Sequence, residues 1–240
     1  MSDDVQRRID WLLGRRGESA PPRTLSAREQ LGYTREECRD DPEARRRVRK
    51  LYYAQRERQE YEASRDIGEI PEVQNPERRE RCSTSLRMFI EEYFKDDEKF
   101  SLPWASFHLE ALRKMESSII NGGLFALALP RGSGKTALTE RAIIWAILYG
   151  YRRYVVAIGD GRSAAQEILE TVQTEIESNE KLIADFPEVC FPIAKLQGIV
   201  QRATGQRHHG RPTDISWGSS GTIVFPTIEG SPSSGSILVT

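Results

Sequence analysis

Apolar residues recur at helical spacing from the start of the chain. Val5, Ile9, Leu12 and Leu13 form one face of a helix over 4–13, and Gly14 can end it. Ala20-Pro21-Pro22 then breaks the chain. Ser26 with Glu29, and Thr34 with Glu37, stand at capping-box spacing, where each side chain serves the other residue's backbone donor at a helix start. Gly32 can stop the first of these two helices. Asp41-Pro42 sets an N-cap before a proline at the first helical position, which predicts a longer helix from 42 to about 64. The stretch IGEIPEVQNPERRE, 67–80, carries two prolines and no period, and reads as a linker.

Beyond it the pattern becomes α/β. TSLRMFIEEYFK, 84–95, predicts an amphipathic helix with Leu86, Phe89, Ile90 and Phe94 inward. A second helix over 105–119 places Phe107, Leu109, Leu112 and Met115 on one side. After Asn121-Gly122-Gly123 comes LFALAL, 124–129, a continuous apolar run of the kind that marks a strand covered on both faces. ALTERAIIWAILYG, 137–150, is apolar almost all round and predicts a helix buried on the sheet. YVVAIG, 154–159, reads as a second buried strand, with an amphipathic helix following over 164–179. EKLIADFPEV, 180–189, reads as a short helix. DISW, 214–217, and GTIVFPTI, 221–228, flank Gly218-Ser219-Ser220 as a β-hairpin, and SILVT, 236–240, begins a further strand.

Charge divides the chain. In residues 1–82, 37 side chains are charged, or 45%, against 34, or 22%, in 83–240. Two parts follow: a charged helical N-terminal arm and linker, 1–82, and a packed domain, 83–240. The net charge of −1 means that any nucleic-acid surface must be local. One such surface is the 42–64 helix, with Arg45, Arg46, Arg47, Arg49, Lys50, Arg56 and Arg58. It is either a helix-turn-helix-like unit or basic helix laid on phosphate, or a salt-bridged helix docked through Val48, Leu51 and Tyr52. Arg202, Arg207 and Arg211 offer the same choice between a DNA-contacting loop and a solvated one. Cys38, Cys82 and Cys190 are too few and too scattered for a disulfide scaffold or a cysteine zinc cluster, and they suit a reducing interior. His208 and His209 lack a third ligand nearby. No run approaches ~20 apolar residues, so no membrane-spanning helix is expected. The charged start, MSDDVQRRID, has no apolar h-region, so no secretory signal is expected.

The candidate chemistry lies between the 124–129 run and the 137–150 helix. Pro130-Arg131-Gly132-Ser133-Gly134-Lys135-Thr136 gives strand, glycine loop, Gly-Lys-Thr, helix. In such a loop the glycines let backbone N–H groups curl around phosphates, and the helix N-terminus adds its positive dipole end. Lys135 would reach the β- and γ-phosphates, and the Thr136 hydroxyl would ligate Mg²⁺. The pattern lacks the first glycine of G-x-x-x-x-G-K-[ST], since Leu129 stands there. Arg131 would either stabilise charge on the γ-phosphoryl group or face solvent. Asp160, after the 154–159 strand, is followed by Gly161 rather than a second acid, and reads as part of the next helix's N-cap.

The stretch from about 84 to 240 resembles the N-terminal ATPase half of a tailed-bacteriophage terminase large subunit, the DNA-packaging motor. The resemblance rests on Pro130 through Thr136, because that family favours a Pro-Arg-Gly-x-Gly-Lys-[Ser/Thr] loop without the first glycine. The 154–159 strand with its helix, the segments 177–180 and 185–188, and the later hairpin support it. It implies a P-loop NTPase three-layer sandwich with a mostly parallel sheet, incomplete within these 240 residues and preceded by the helical arm. It implies ATP and Mg²⁺ held by Lys135 and Thr136, with Arg131 acting in cis during hydrolysis. Phe107 and His108 fall where the family carries an aromatic and a glutamine of its adenine pocket.

The resemblance further implies double-stranded DNA, a portal protein and a small terminase subunit as partners, a homo-oligomeric ring, no membrane, and work in the host cytoplasm at the procapsid portal. The family's acidic-pair strand and its nuclease carboxylates do not occur in these residues and are expected beyond residue 240. The chain is therefore expected to bind nucleotide better than it hydrolyses it. Two alternatives stand beside this reading. One is another P-loop NTPase, such as a helicase-like ATPase or a small kinase. The other is a non-enzymatic nucleic-acid-binding protein using the basic helix at 45–58.

Overall fold

The caps read from sequence form as hydrogen bonds. In the computed structural model, which describes residues 26–63, 65–95, 100, 103–218 and 221–240, Ser26 and Thr34 each close a capping box with the glutamate three residues on. The Ser26 N–H donates to Glu29 Oε2 at 2.8 Å and the Thr34 N–H to Glu37 Oε2 at 2.7 Å. They start α1 (Ala27–Gln30) and α2 (Arg35–Asp40). Asp41 Oδ1 accepts from the Glu43 N–H at 2.8 Å, ahead of α3 (Pro42–Ala63). The helix expected over 4–13 lies outside the described residues.

The chain divides into two compact units, Met1–Glu62 and Ala63–Thr240, twenty residues earlier than the charge pattern suggests. The reason lies in α4 (Pro76–Ser83). Three aromatic donors of the second unit bond its backbone: Trp145 Nε1 to the Cys82 carbonyl at 3.0 Å, the Tyr149 hydroxyl to that of Arg79 at 2.7 Å, and the Tyr151 hydroxyl to that of Ser83. The bonds to Cys82 and Ser83 satisfy carbonyls at a helix end that would otherwise need water. Arg78 adds a two-pronged bond to the buried Asp185, at 2.6 and 2.9 Å. The highly charged α4 thus belongs with the packed unit.

That unit continues with α5 (Leu86–Tyr93), α6 (Ser106–Asn121), α7 (Lys135–Leu148), β1 (Tyr154–Val156), α8 (Arg162–Ser178), α9 (Glu180–Asp185) and α10 (Pro187–Ala194). Then come the ribbon β2 (Arg207–His208) and β3 (Arg211–Pro212), followed by β4 (Thr222–Val224) and β5 (Ile237–Val239). The core joins α5, α7 and α8, with Leu86, Phe89, Ile90, Leu138, Trp145, Ile147, Leu169 and Val172 among its fully enclosed side chains. The α7 helix is buried along nearly its whole length, as its all-round apolar pattern requires.

The sheet is smaller than expected. Its order is β1-β5-β4, with β1 parallel and β4 antiparallel to β5. The expected strand at 124–129 does not form: residues 122–130 have no regular structure, and Leu124 is fully exposed. A strand exists only through a ladder partner, and no described strand lies against this run. Likewise 154–159 is not a strand buried on both sides. The strand is 154–156, at a sheet edge, extended by one bond from the Ala157 N–H to the Val239 carbonyl at 2.8 Å, and the Tyr154, Val156 and Ile158 side chains are exposed. The expected hairpin shrinks to one antiparallel bridge, Ser216 to Val224, while the 222–224 strand forms its ladder with β5. The α6 face also differs. Ala111, Leu112 and Met115 are buried, while Phe107 and Leu109 point outward. Among the described residues no helix is long and apolar enough to cross a membrane.

Candidate phosphate-binding loop

Glycine conformations shape the turn that opens α7. Gly132 has φ +81° and Gly134 φ +74°, a left-handed backbone that disfavours a side chain. An added Cβ at either position meets no protein atom within 4 Å, so backbone angle rather than crowding demands glycine there. Gly134 is the N-cap of α7 and supplies no side-chain acceptor, which leaves the first N–H groups of this 14-residue helix without a cap. Such an end carries partial positive charge and is suited to an anion.

Lys135 is the first residue of α7, and its side chain folds back across the turn. Its Nζ donates to the carbonyls of Leu129 at 2.6 Å and Pro130 at 2.9 Å. The Pro130 carbonyl also accepts from the Ser133 hydroxyl at 2.7 Å and the Ser133 N–H at 3.3 Å. One carbonyl thus gathers the turn. Nothing in the sequence signalled this role, because backbone oxygens leave no mark on residue type. Arg131 and Thr136 are exposed beside it.

His108 reaches the loop from α6. The Ala105 N–H donates to His108 Nδ1 at 3.3 Å, so Nε2 carries the proton and donates to the Ser133 carbonyl at 3.1 Å. Phe107 stays 39% exposed, its ring centroid 4.1 Å from that of His108. The structure therefore brings together Pro130, Arg131, Gly132, Ser133, Gly134, Lys135, Thr136 and His108. It leaves Phe107 at the margin.

An apolar cleft of about 350 Å³ is lined by Phe125 and Leu127, by Thr139 and Ala142 of α7, and by Val155 of β1, and by no residue of 130–136. A cleft of about 610 Å³ between α8, α10 and Trp217 shares no residue with the loop. Asp160 lies in the N-cap region of α8, directly before the N-cap Gly161, which has no side-chain bond. Among the described residues no cluster of three or more His, Cys, Asp or Glu could hold a metal. A magnesium ion here would therefore depend on the Thr136 hydroxyl, nucleotide oxygens and water. The donor set fits a polyphosphate: one ammonium, an uncapped helix start, and two glycines with left-handed backbones.

Comparison with family models, curated proteins and solved structures finds no match for this chain.

Proposed function

We propose that the 130–136 turn binds ATP with Mg²⁺, and that the chain is the ATPase part of a terminase-type motor that translocates double-stranded DNA. The nucleotide part of this reading is carried by one observation: Gly134, left-handed and uncapped, opens a buried helix whose first side chain, Lys135, already bends over the loop. The motor part is supported by the sequence Pro130 through Thr136. On this reading the DNA partner, the portal and small-subunit partners and the ring belong to the full motor, and the fold is a P-loop sandwich.

The chain's own groups would act as follows. Lys135 exchanges two carbonyl acceptors for β- and γ-phosphate oxygens, a charge-assisted bond about twice as strong as a neutral one. The N–H groups at the start of α7 bind the same oxygens. Magnesium, when bound, neutralises charge between the β- and γ-phosphates, and the Thr136 hydroxyl helps to hold it. Arg131, exposed in the turn, stabilises charge that grows on the γ-phosphoryl oxygens. His108 holds the loop by its bond to the Ser133 carbonyl.

Binding of a fluorescent ATP analogue with Mg²⁺ tests this directly. The native chain should bind it, and Lys135→Ala and Gly134→Ala should each weaken binding at least about tenfold, equal to ~1.4 kcal/mol. Unchanged affinity in Lys135→Ala would end the nucleotide reading and the motor with it.

A further inference from the structure

The cleft of about 610 Å³ beside α8 has a chemistry of its own, on residues the nucleotide loop does not use. Glu170, Gln173, Thr174 and Glu177 of α8 form its polar wall. Their spacing of three, four and seven residues makes one stripe along a helix. The rest of the cleft is mostly apolar. Ile193, Leu196 and Trp217 are buried in it, while Ile183 and Val200 stay open to solvent. An apolar hollow of this size with a few polar groups along one side is suited to a small ligand.

The polar wall offers acceptors, because its donors are spent. The Thr174 hydroxyl donates to the Glu170 carbonyl at 2.8 Å, and Gln173 Nε2 to the Gly218 carbonyl at 3.4 Å. Trp217 Nε1 donates to Glu177 Oε1 at 2.5 Å, and Gln166 Nε2 to Glu170 Oε1 at 2.9 Å. Each glutamate is thus held by a neutral group through one oxygen, which fixes it without cancelling its charge. The Gln173 oxygen, the Thr174 lone pairs and the second oxygen of each glutamate remain to accept. The Cys190 thiol, 2% exposed, also lines the cleft and has no hydrogen-bond partner among the described residues.

The negative charge is uncompensated. Among the described residues no Lys, Arg or His lines the cleft, and neither glutamate has an ion-pair partner. Glu175, on the same helix, shows the contrast: it is paired with Arg141 at 2.7 Å. Arg202 donates to the side-chain oxygen of Gln197 and is not part of the lining.

We infer that this cleft binds a linear diammonium compound, an α,ω-diamine with an apolar chain between its charges. Glu170 and Glu177 stand seven residues apart, about 10 Å along the helix axis and ~20° apart around it. The bond to Gln166, one turn back, draws Glu170 further from Glu177. One metal ion, with oxygen ligands within ~2.6 Å, does not span that distance. An extended eight-carbon diamine does: its two ammonium groups meet the two carboxylates, and its methylenes cover Ile183 and Val200. The site stands independently of the nucleotide reading.

The test is calorimetric titration of the full chain with α,ω-diaminooctane at low salt, without nucleotide. The native chain should bind one equivalent. α,ω-Diaminobutane is too short to reach both acids and octylamine has one ammonium, so each should bind at least about threefold more weakly. Glu170→Gln/Glu177→Gln keeps the acceptors for Gln166 and Trp217 but loses both charges. It should weaken diaminooctane at least about fivefold, with circular dichroism and melting midpoint unchanged. Glu72→Gln/Glu80→Gln, which removes two exposed acids elsewhere, should leave affinity as it was. No binding by the native chain overturns the proposal, and so does unchanged affinity in the Glu170/Glu177 variant. Equal affinity for the short diamine or the monoamine overturns it as well. So does an equal loss in the Glu72/Glu80 variant, which would mark diffuse attraction to surface charge.

Discussion

Lys135 holds the carbonyl of Leu129, six residues behind it, at 2.6 Å. A residue at the start of a helix therefore closes the loop before that helix with its own charge, and any bound anion must compete for that ammonium. Removing the ammonium costs the fold little, because the Leu129 and Pro130 carbonyls lie where water can replace it. Lys135→Met should shift unfolding by no more than about 1 kcal/mol. The native chain should gain about 2.7 kcal/mol when ATP–Mg²⁺ is present at one hundred times its Kd. Thermal denaturation with and without nucleotide reads both quantities. A variant that is still stabilised by nucleotide contradicts the role given to Lys135.

Asp185 carries a different kind of load. Its buried carboxylate accepts from Arg78 Nε at 2.6 Å and Nη2 at 2.9 Å, from the Tyr93 hydroxyl at 2.7 Å and from the Asn75 N–H at 3.2 Å. Burial, reinforced by the bond to Asp185, drives the Tyr93 hydroxyl's pKa upward. Asp185→Ala leaves a guanidinium and a hydroxyl facing an apolar gap, and should cost about 3 kcal/mol in urea unfolding with the m-value unchanged. A loss below about 1 kcal/mol would mean that water already serves Arg78.

The thiols should separate by burial. Cys82 and Cys190 are enclosed, while Cys38 is half-buried. Burial, with the Glu92 charge adding to it, pushes the Cys82 thiol up to about 11, and burial raises Cys190 as well. At pH 8 an aromatic disulfide reagent should modify Cys38 and leave the other two until denaturant is added, because the thiolate is the reactive form. Rapid reaction of all three in the native protein would contradict this packing.

Asp66 sets an acid limit on the join between 65–67 and β2. Burial works to raise its pKa, but the N–H groups of Gly210, Gly68 and His209 outweigh it and hold the group below the ordinary aspartate value. A depressed folded-state pKa adds stability that is complete above the unfolded value, near ~3.9, and is lost as pH falls through the folded value. Asp66→Asn should therefore lower stability at pH 7 and flatten its decline below about pH 4. Unfolding midpoints across pH 2–7 measure this, and parallel curves for the two proteins would refute it.

Much of the local structure was legible. Ser26 with Glu29, Thr34 with Glu37, and Asp41 before Pro42 all mark helix starts, because a cap is a bond between residues two or three apart. The α7 helix was equally plain, since its burial requires apolar residues on every side. The approach of His108 to the loop could be expected only through a resemblance, and Phe107, which helical spacing put on one side with Leu112 and Met115, is exposed. Leu124–Leu129 has the composition of a covered strand and is not one, because composition cannot supply the neighbour that a ladder needs.

The sequence by itself determined where helices begin, which of them is buried all round, and that a glycine turn with Lys135 and Thr136 precedes one of them. These depend on contacts a few residues apart. Only the tertiary structure decided that β4 pairs with β5, that Arg78 meets Asp185 across 107 residues, and that Trp217 meets Glu177 across 40 residues at one cleft. Such pairings are chosen by how distant segments share buried surface and satisfy each other's polar groups, and no short stretch of chain encodes that choice.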